Sequence, residues 1–259
     1  MYSSVMLYTS GVDSYIILQY VRNCIDSTVK PIYFNIKCKY SSVEIGYVKK
    51  EKECIIDNSL FLGDIEQPDA YIPGRNILLV TLAASKYSNN VIIGNTKSDR
   101  ISDNNPGVFK KLSDLLTKSN NNGIVNIFSP AYDQYKEDLL NWYDTQFPDK
   151  KMNLLNETFS CYSPLERECM YDEISDNFDK NCYQKTMGYT SRHCFKCPAC
   201  FRRNVVLHGV GISLPFFNKD ILKKYKIEFQ SKKGLDDSDK RLIGTLKYID
   251  YIEDCGFIW

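Results

Sequence analysis

The sequence predicts an α/β protein with a doubly wound parallel sheet, carrying a metal-stapled subdomain toward its C-terminus. Three observations carry that reading. Short apolar runs alternate with segments of helical length as far as about residue 150, the order that parallel strands with right-handed helical crossovers require. The first run, Val5-Met6-Leu7-Tyr8, breaks straight into Thr9-Ser10-Gly11-Val12-Asp13-Ser14 and then into a helical pattern. After about Met152 the regularity fails, and the chain becomes polar and cysteine-rich before Cys194, Cys197 and Cys200. These breaks place the sheet domain at 1–151, the metal-binding segment with an insertion at 152–211, and a C-terminal extension at 212–259.

Taken in order, the elements follow from periodicity. A helix from about Ser14 to Asn23 leads to a strand over Pro31–Ile36. Val43, Ile45, Val48 and Ile55 recur among charged residues over Ser41–Ile56, as in an amphipathic helix. Ser59–Leu62 reads as a short strand, and Ile77–Tyr87, apolar with two alanines, as a buried helix. Val91–Asn95 is the clearest strand, followed by a helix over Val108–Leu116, a strand over Ile124–Phe128 and a helix over Tyr135–Tyr143. A further helix spans about Cys197–His208, and the Lys-rich last fifty residues, interrupted by aromatics, predict a few short elements.

Composition sets bounds on function. In 259 residues, 43% hydrophobic and 25% charged content supports a sizeable core. A net charge of +1 implies no bulk attraction to nucleic acid or membrane. The N-terminus lacks the layout of a signal peptide, and no apolar stretch has the length of a bilayer span. A cytoplasmic location is expected. In that compartment, clustered members of the ten cysteines point to metal rather than disulfides, whereas Cys24, Cys38, Cys54 and Cys255 read as small apolar residues.

Two stretches carry chemistry. A strand that turns through small residues into a helix leaves N–H groups unpaired at the positive end of the helix dipole, which suits phosphate. Gly11 would let the backbone approach a ligand, and Ser10 and Ser14 add hydroxyl donors. No Gly-Lys-Ser/Thr follows, so this is not a Walker-type loop. Ligands in such sheets sit at the carboxyl ends of the strands, so Gly94-Asn95-Thr96 and Ser129-Pro130 would share a face with the opening loop. The second stretch, His193-Cys194-Phe195-Lys196-Cys197-Pro198-Ala199-Cys200, offers three thiolates suited to one tetrahedral Zn²⁺ or to an iron–sulfur cluster. Redox cysteines are a third choice. Cys161, Cys169, Cys182 and His193 are the candidates for a fourth ligand.

The opening loop resembles the pyrophosphate loop (PP-loop), Ser-Gly-Gly-x-Asp-Ser, of the HUP-type adenine nucleotide alpha-hydrolases; Thr9 and Ser10 stand where that pattern has Ser and Gly. Thr158-Phe159-Ser160-Cys161-Tyr162 followed by the cysteine run and an arginine-bearing helix is similar to the 7-cyano-7-deazaguanine (preQ0) synthase family. Ile72-Pro73-Gly74-Arg75-Asn76 and Val91-Ile92-Ile93-Gly94-Asn95 resemble further segments of that family. The resemblance implies an ATP-dependent ligase of queuosine biosynthesis that adenylates 7-carboxy-7-deazaguanine and reacts it with ammonia to give amide and nitrile. It implies ATP, Mg²⁺ and Zn²⁺ as cofactors. Tyr8, Thr9, Ser10, Gly11, Val12, Asp13, Ser14, Arg75, Asn76 and Gly94 would then hold the nucleotide, with Asp13 and Ser14 catalytic. Asn95, Lys97, Asp99 and Asp103 would meet the substrate, and Cys161, Cys194, Cys197 and Cys200 would hold zinc.

Departures from the family are concrete. Its substrate signature after the Gly-Asn strand is reduced here to Asp99 and Asp103, within 98–106. The gap between Cys161 and Cys194 exceeds the family norm, so 162–193 is a candidate lid or surface for a protein partner; a homodimer is the other association considered. Alternatives therefore stay open. The enzyme could stop at the amide, or join the activated acid to another amine or to a protein. A tRNA thiolation enzyme shares the loop but predicts a catalytic cysteine near the nucleotide. A zinc-stapled nucleotide-binding module without catalysis is the remaining reading.

Overall fold

The sheet grows outward from β1 (Val5–Leu7), whose three residues are all buried. In the computed structural model the described residues are 1–97, 103, 105–119, 123–165, 169–170, 190–214, 216, 218–231 and 240–254. Four more strands join β1 in parallel: β2 (Lys30–Phe34), β3 (Ile55–Asp57), β4 (Asn90–Ile92) and β5 (Asn126–Phe128), in the order β3-β2-β1-β4-β5. Val5 pairs with Lys30 on one side and Val91 on the other, so β1 is buried at the centre. The crossovers are α1 (Val12–Cys24), α2 (Ser41–Val48), α3 (Arg75–Lys86) and α4 (Pro106–Ser119). Strand order reverses direction at β1, which right-handed crossovers turn into helices on both faces. This is the doubly wound parallel sheet expected from the alternation. After β5 come α5 (Lys136–Gln146), which packs on α1, and the single turn α6 (Asn153–Asn156).

Two expected boundaries move. The helix expected over Ser41–Ile56 ends at Val48, and the third strand is Ile55–Asp57 rather than Ser59–Leu62. Ile55 and Ile56 pair with Ile32 and Tyr33 across the sheet. Such nonlocal pairing overrides the helical spacing that the same isoleucines create. α3 is less buried than its apolar sequence suggests: Val80, Ala83 and Ala84 face the core, while Ile77 and Leu78 are 37% and 44% exposed.

The chain divides into two compact units, Met1–Phe159 and Ser160–Trp259. The second holds a short antiparallel pair, β6 (Cys169–Met170) with β7 (Thr190–Ser191), and three helices, α7 (Pro198–Gly209), α8 (Lys219–Gln230) and α9 (Lys240–Asp254). α9 packs on both α7 and α8. The aromatics that look like interruptions in the sequence are its core. Phe201 stacks on Tyr225 with centroids 4.5 Å apart, and Phe216 and Tyr248 close around it. The hydroxyl of Tyr248, wholly buried, donates to the Leu214 carbonyl at 2.8 Å and accepts from Asn204 Nδ2 at 3.1 Å. The last fifty residues thus supply two full-length helices where short pieces were expected. No helix among the described residues is long and apolar enough to cross a membrane.

Candidate functional site

The opening loop lies at the carboxyl end of β1, where strand order reverses between β1 and β4; in open α/β sheets this switch point is where ligands collect. β4 ends beside it. A Cβ placed on Gly94 would touch Ser14 Cα at 3.6 Å and Met6 Cε at 3.5 Å, so only a minimal residue brings the two strand ends this close.

Within the loop the hydroxyls organise the backbone. Ser14 Oγ donates to the Gly11 carbonyl at 3.0 Å and accepts from Thr9 N at 3.3 Å, while Gly11 N donates to Thr9 Oγ1 at 3.4 Å. α1 has no side-chain cap, which leaves its first-turn donors to be satisfied otherwise. Gly11 is not the left-handed residue: it has φ −61°, open to any residue, and the turn falls on Ser10 at φ 57°. The Ser10 carbonyl accepts from Phe159 N at 2.9 Å, and Tyr8 is buried beneath the loop's first bond, its own N–H donating to Ile32.

Asp13, in the first turn of α1, pairs with Lys136 Nζ at 2.6 Å. Lys136 escaped the sequence reading because it is one lysine in an amphipathic helix. Its signal was positional: it opens the helix after the strand ending at Ser129-Pro130. The chain after β4 is tied to that same segment, since Ser129 Oγ donates to the Asn95 carbonyl at 2.7 Å and Lys97 N to the Gln134 carbonyl at 2.9 Å. Asn95 is buried, and the exposed Lys97 lays its ammonium over the Tyr135 ring.

Pro73-Gly74-Arg75-Asn76 forms the entry to α3. Gly74 takes φ 66°, which glycine tolerates without strain, and Arg75 opens the helix. Asn76 donates from its backbone N and its Nδ2 to the Asp103 carboxylate, both at 3.3 Å, so two residues assigned separate roles are brought together. The positive charge of Arg75 acts on Glu44 and Tyr40, near the start of α2. Burial pushes the Glu44 carboxyl up to about 7, against the opposing pull of the Tyr33 hydroxyl (2.7 Å) and of Arg75. Asp99 lies outside the described residues, as does most of the 162–193 insertion.

The second unit holds the metal centre. The sulfurs of Cys161, Cys194, Cys197 and Cys200 lie within 4.8 Å of one another, at 4.0 Å for Cys161–Cys197 and 3.9 Å for Cys194–Cys200. A tetrahedral ion with metal–sulfur bonds of about 2.3 Å would set sulfurs about 3.8 Å apart, and disulfide bonding needs a far shorter approach. The donor set fits zinc. Backbone N–H groups of Ser163 and Cys194 point at Cys161 Sγ, that of Lys196 at Cys194 Sγ and that of Cys200 at Cys197 Sγ, each at 3.4 Å. Such bonds favour thiolate. Phe195 takes φ 53° to fold the turn, and Cys197 caps α7 with Pro198 at its first position. Hydrogen bonding from Cys161, then from Cys194 and Cys200, pulls the Cys197 thiol down, while burial pushes Cys200 up. The four sulfurs can thus bind a metal such as zinc. His193 is not among them: it is buried, burial and then Arg203 hold its ring below the usual histidine range, and its Nε2 accepts from Ser160 N at 3.2 Å.

Comparison with known proteins agrees with this arrangement. A curated relative, 7-cyano-7-deazaguanine synthase of Buchnera aphidicola subsp. Schizaphis graminum, is 23% identical over 228 residues, which span 86% of this chain and 84% of the relative. Among solved structures, a predicted subunit of tRNA methyltransferase from Methanocaldococcus jannaschii gives a TM-score of 0.42 at 13% identity, covering 55% of this chain and 74% of its own. The NH3-dependent NAD synthetase of Campylobacter jejuni gives 0.33 at 14%, covering 98% and 86%. Residues 48–211, from the end of α2 through all four cysteines to the end of α7, match the family model described as queuosine biosynthesis protein QueC, and the chain belongs to that family.

Proposed function

We propose that the protein is an ATP-dependent ligase that adenylates a carboxylate, 7-carboxy-7-deazaguanine, and converts it with ammonia to the amide and then to the nitrile, preQ0. One observation carries the reading: a serine-rich turn enters an uncapped helix at the sheet's switch point, with Asp13 and Lys136 paired beside it. The relative's name, a 7-deazaguanine synthase, supports the product class.

In this reading the substrate carboxylate attacks the α-phosphorus of ATP, the bond to pyrophosphate breaks, and an acyl-adenylate forms. Ammonia adds to the acyl carbon and AMP leaves. The amide oxygen attacks a second ATP, and loss of AMP with two protons gives the nitrile. No side-chain nucleophile is needed, so the protein's contribution is placement and charge. The first N–H groups of α1 would take the pyrophosphate oxygens. Lys136 would exchange its bond to Asp13 for a phosphate oxygen, leaving Asp13 to help hold Mg²⁺, which neutralises phosphate charge when bound. Ser14 would keep the turn closed through Gly11 and Thr9. Arg75, with no side-chain hydrogen bond or ion pair among the described residues, would take an anionic group of nucleotide or substrate. Zinc, when bound, cross-links the four thiolates and has no part in any of these steps.

The thiolation alternative loses ground on a physical observation. Cys38 lies just past β2 on the ligand side of the sheet, but burial pushes its thiol up, and Cys54 is pushed up to about 12. Neither is a nucleophile at neutral pH. Incubating the protein with ATP and 7-carboxy-7-deazaguanine, with and without ammonium, and weighing the products tests the proposal. A nitrile formed only with ammonium is the expected result. Amide alone would select the truncated reaction, and absence of AMP would leave a binding module.

A further inference from the structure

We propose that Ser10 is an additional phosphate donor of the loop, placed where the pyrophosphate-loop pattern carries glycine; the inference rests on the nucleotide reading above. Ser10 is a non-glycine residue in the left-handed region, at φ 57°. It is wholly buried, and its Oγ has no hydrogen-bond partner. Each feature alone opposes folding: an L side chain is strained at that φ, and an enclosed hydroxyl without a partner has lost its water. Glycine would remove both at once.

The neighbouring hydroxyls give the contrast. Thr9 and Ser14 are engaged with each other and with the backbone of Gly11, holding the turn closed. The Ser10 backbone is also fixed, its carbonyl bonded to Phe159 N. Only the Ser10 hydroxyl in this turn is left unspent, and rotation about Cα–Cβ re-aims it without moving the anchored chain. It sits one residue before the cap of a thirteen-residue helix whose N-terminus has no side-chain cap. An anion drawn to those backbone donors brings acceptor oxygens to the one residue that lacks an acceptor. The ligand class is a di- or triphosphate, since a hydroxyl ahead of the cap and N–H groups behind it are spaced for more than one phosphoryl group.

Calorimetric titration with inorganic pyrophosphate and Mg²⁺ tests this on the full chain and on Ser10→Gly and Ser10→Ala, with melting temperatures measured without ligand. The expected result is a Kd raised about tenfold in both variants, the loss of one charge-assisted hydrogen bond, and a melting temperature for Ser10→Gly no lower than the parent's. A Kd within twofold of the parent in either variant overturns the proposal, because an effect confined to one would belong to the backbone. A lowered melting temperature in Ser10→Gly also overturns it, by making the hydroxyl a structural bond. If the parent binds neither pyrophosphate nor ATP, the nucleotide reading itself falls; if the parent binds and the variants match it, only the role of Ser10 does.

Discussion

Asp13 and Lys136 meet at 2.6 Å with side chains 34% and 19% exposed, a setting in which an ion pair adds little to stability. Their value is therefore expected in turnover. Asp13→Ala should reduce ATP-to-AMP conversion at least a hundredfold while shifting the melting temperature by only a few degrees; retained turnover would remove Asp13 from the mechanism. Glu44 makes a different prediction. Its carboxyl titrates near 7 in the fold and near 4.5 when unfolded, so between those values the native state holds the extra proton. Stability then falls as pH rises from about 4.5 to 7, because the charged form must be kept away from water. Glu44→Gln, which preserves the contact with the Tyr33 hydroxyl, should flatten that slope in denaturant titrations across the same window. A slope unchanged by the substitution would show that Glu44 is ionised throughout. At this scale the sequence was legible where chemistry is local: Ser14 and Asp13 stand where a strand–turn–helix corner needs them. It was silent on Ser10 taking the left-handed turn in place of Gly11, because the choice between adjacent small residues is made by the carbonyl bond to Phe159, far along the chain.

Elements were legible in proportion to how far their periodicity is settled by their own residues. α1 and β4 are each bounded by their own sequence, and both appear close to where spacing puts them. β3 was misplaced because Ile55 and Ile56 earn their place only by lying against Ile32 and Tyr33. Gly74 is the element-scale test of the α3 entry. With φ 66° and nothing within reach of an added Cβ, Gly74→Ala meets no steric neighbour, and its whole effect is backbone strain. A loss of about 1 kcal/mol is expected from urea midpoints. Because Asn76 holds Asp103 from that same first turn, binding of a substrate that relies on Asp103 should weaken in parallel. A stability equal to the parent's would mean that the entry adopts another turn.

For the molecule as a whole the decisive term is the metal. Residues 160–259 make a unit whose described core is one aromatic cluster about Phe201, and Phe201 follows Cys200 directly in α7. The helix that carries two of the sulfurs is therefore the helix that carries the core. A structural zinc site contributes on the order of 10 kcal/mol or more to a small domain, comparable to the entire stability of one; α7–α9 packing alone is too small a margin to replace it. Cys197→Ser removes both a ligand and the cap that accepts from Cys200 N. The variant should lose its zinc by elemental analysis, become poorly soluble, and be cut by trypsin between residues 190 and 254. The sheet unit, Met1–Phe159, has its own buried strands and should survive the same digestion as a fragment. A Cys197→Ser protein that stays monodisperse with full metal content would mean that three sulfurs suffice, and the four-thiol centre would then not be what holds this unit together.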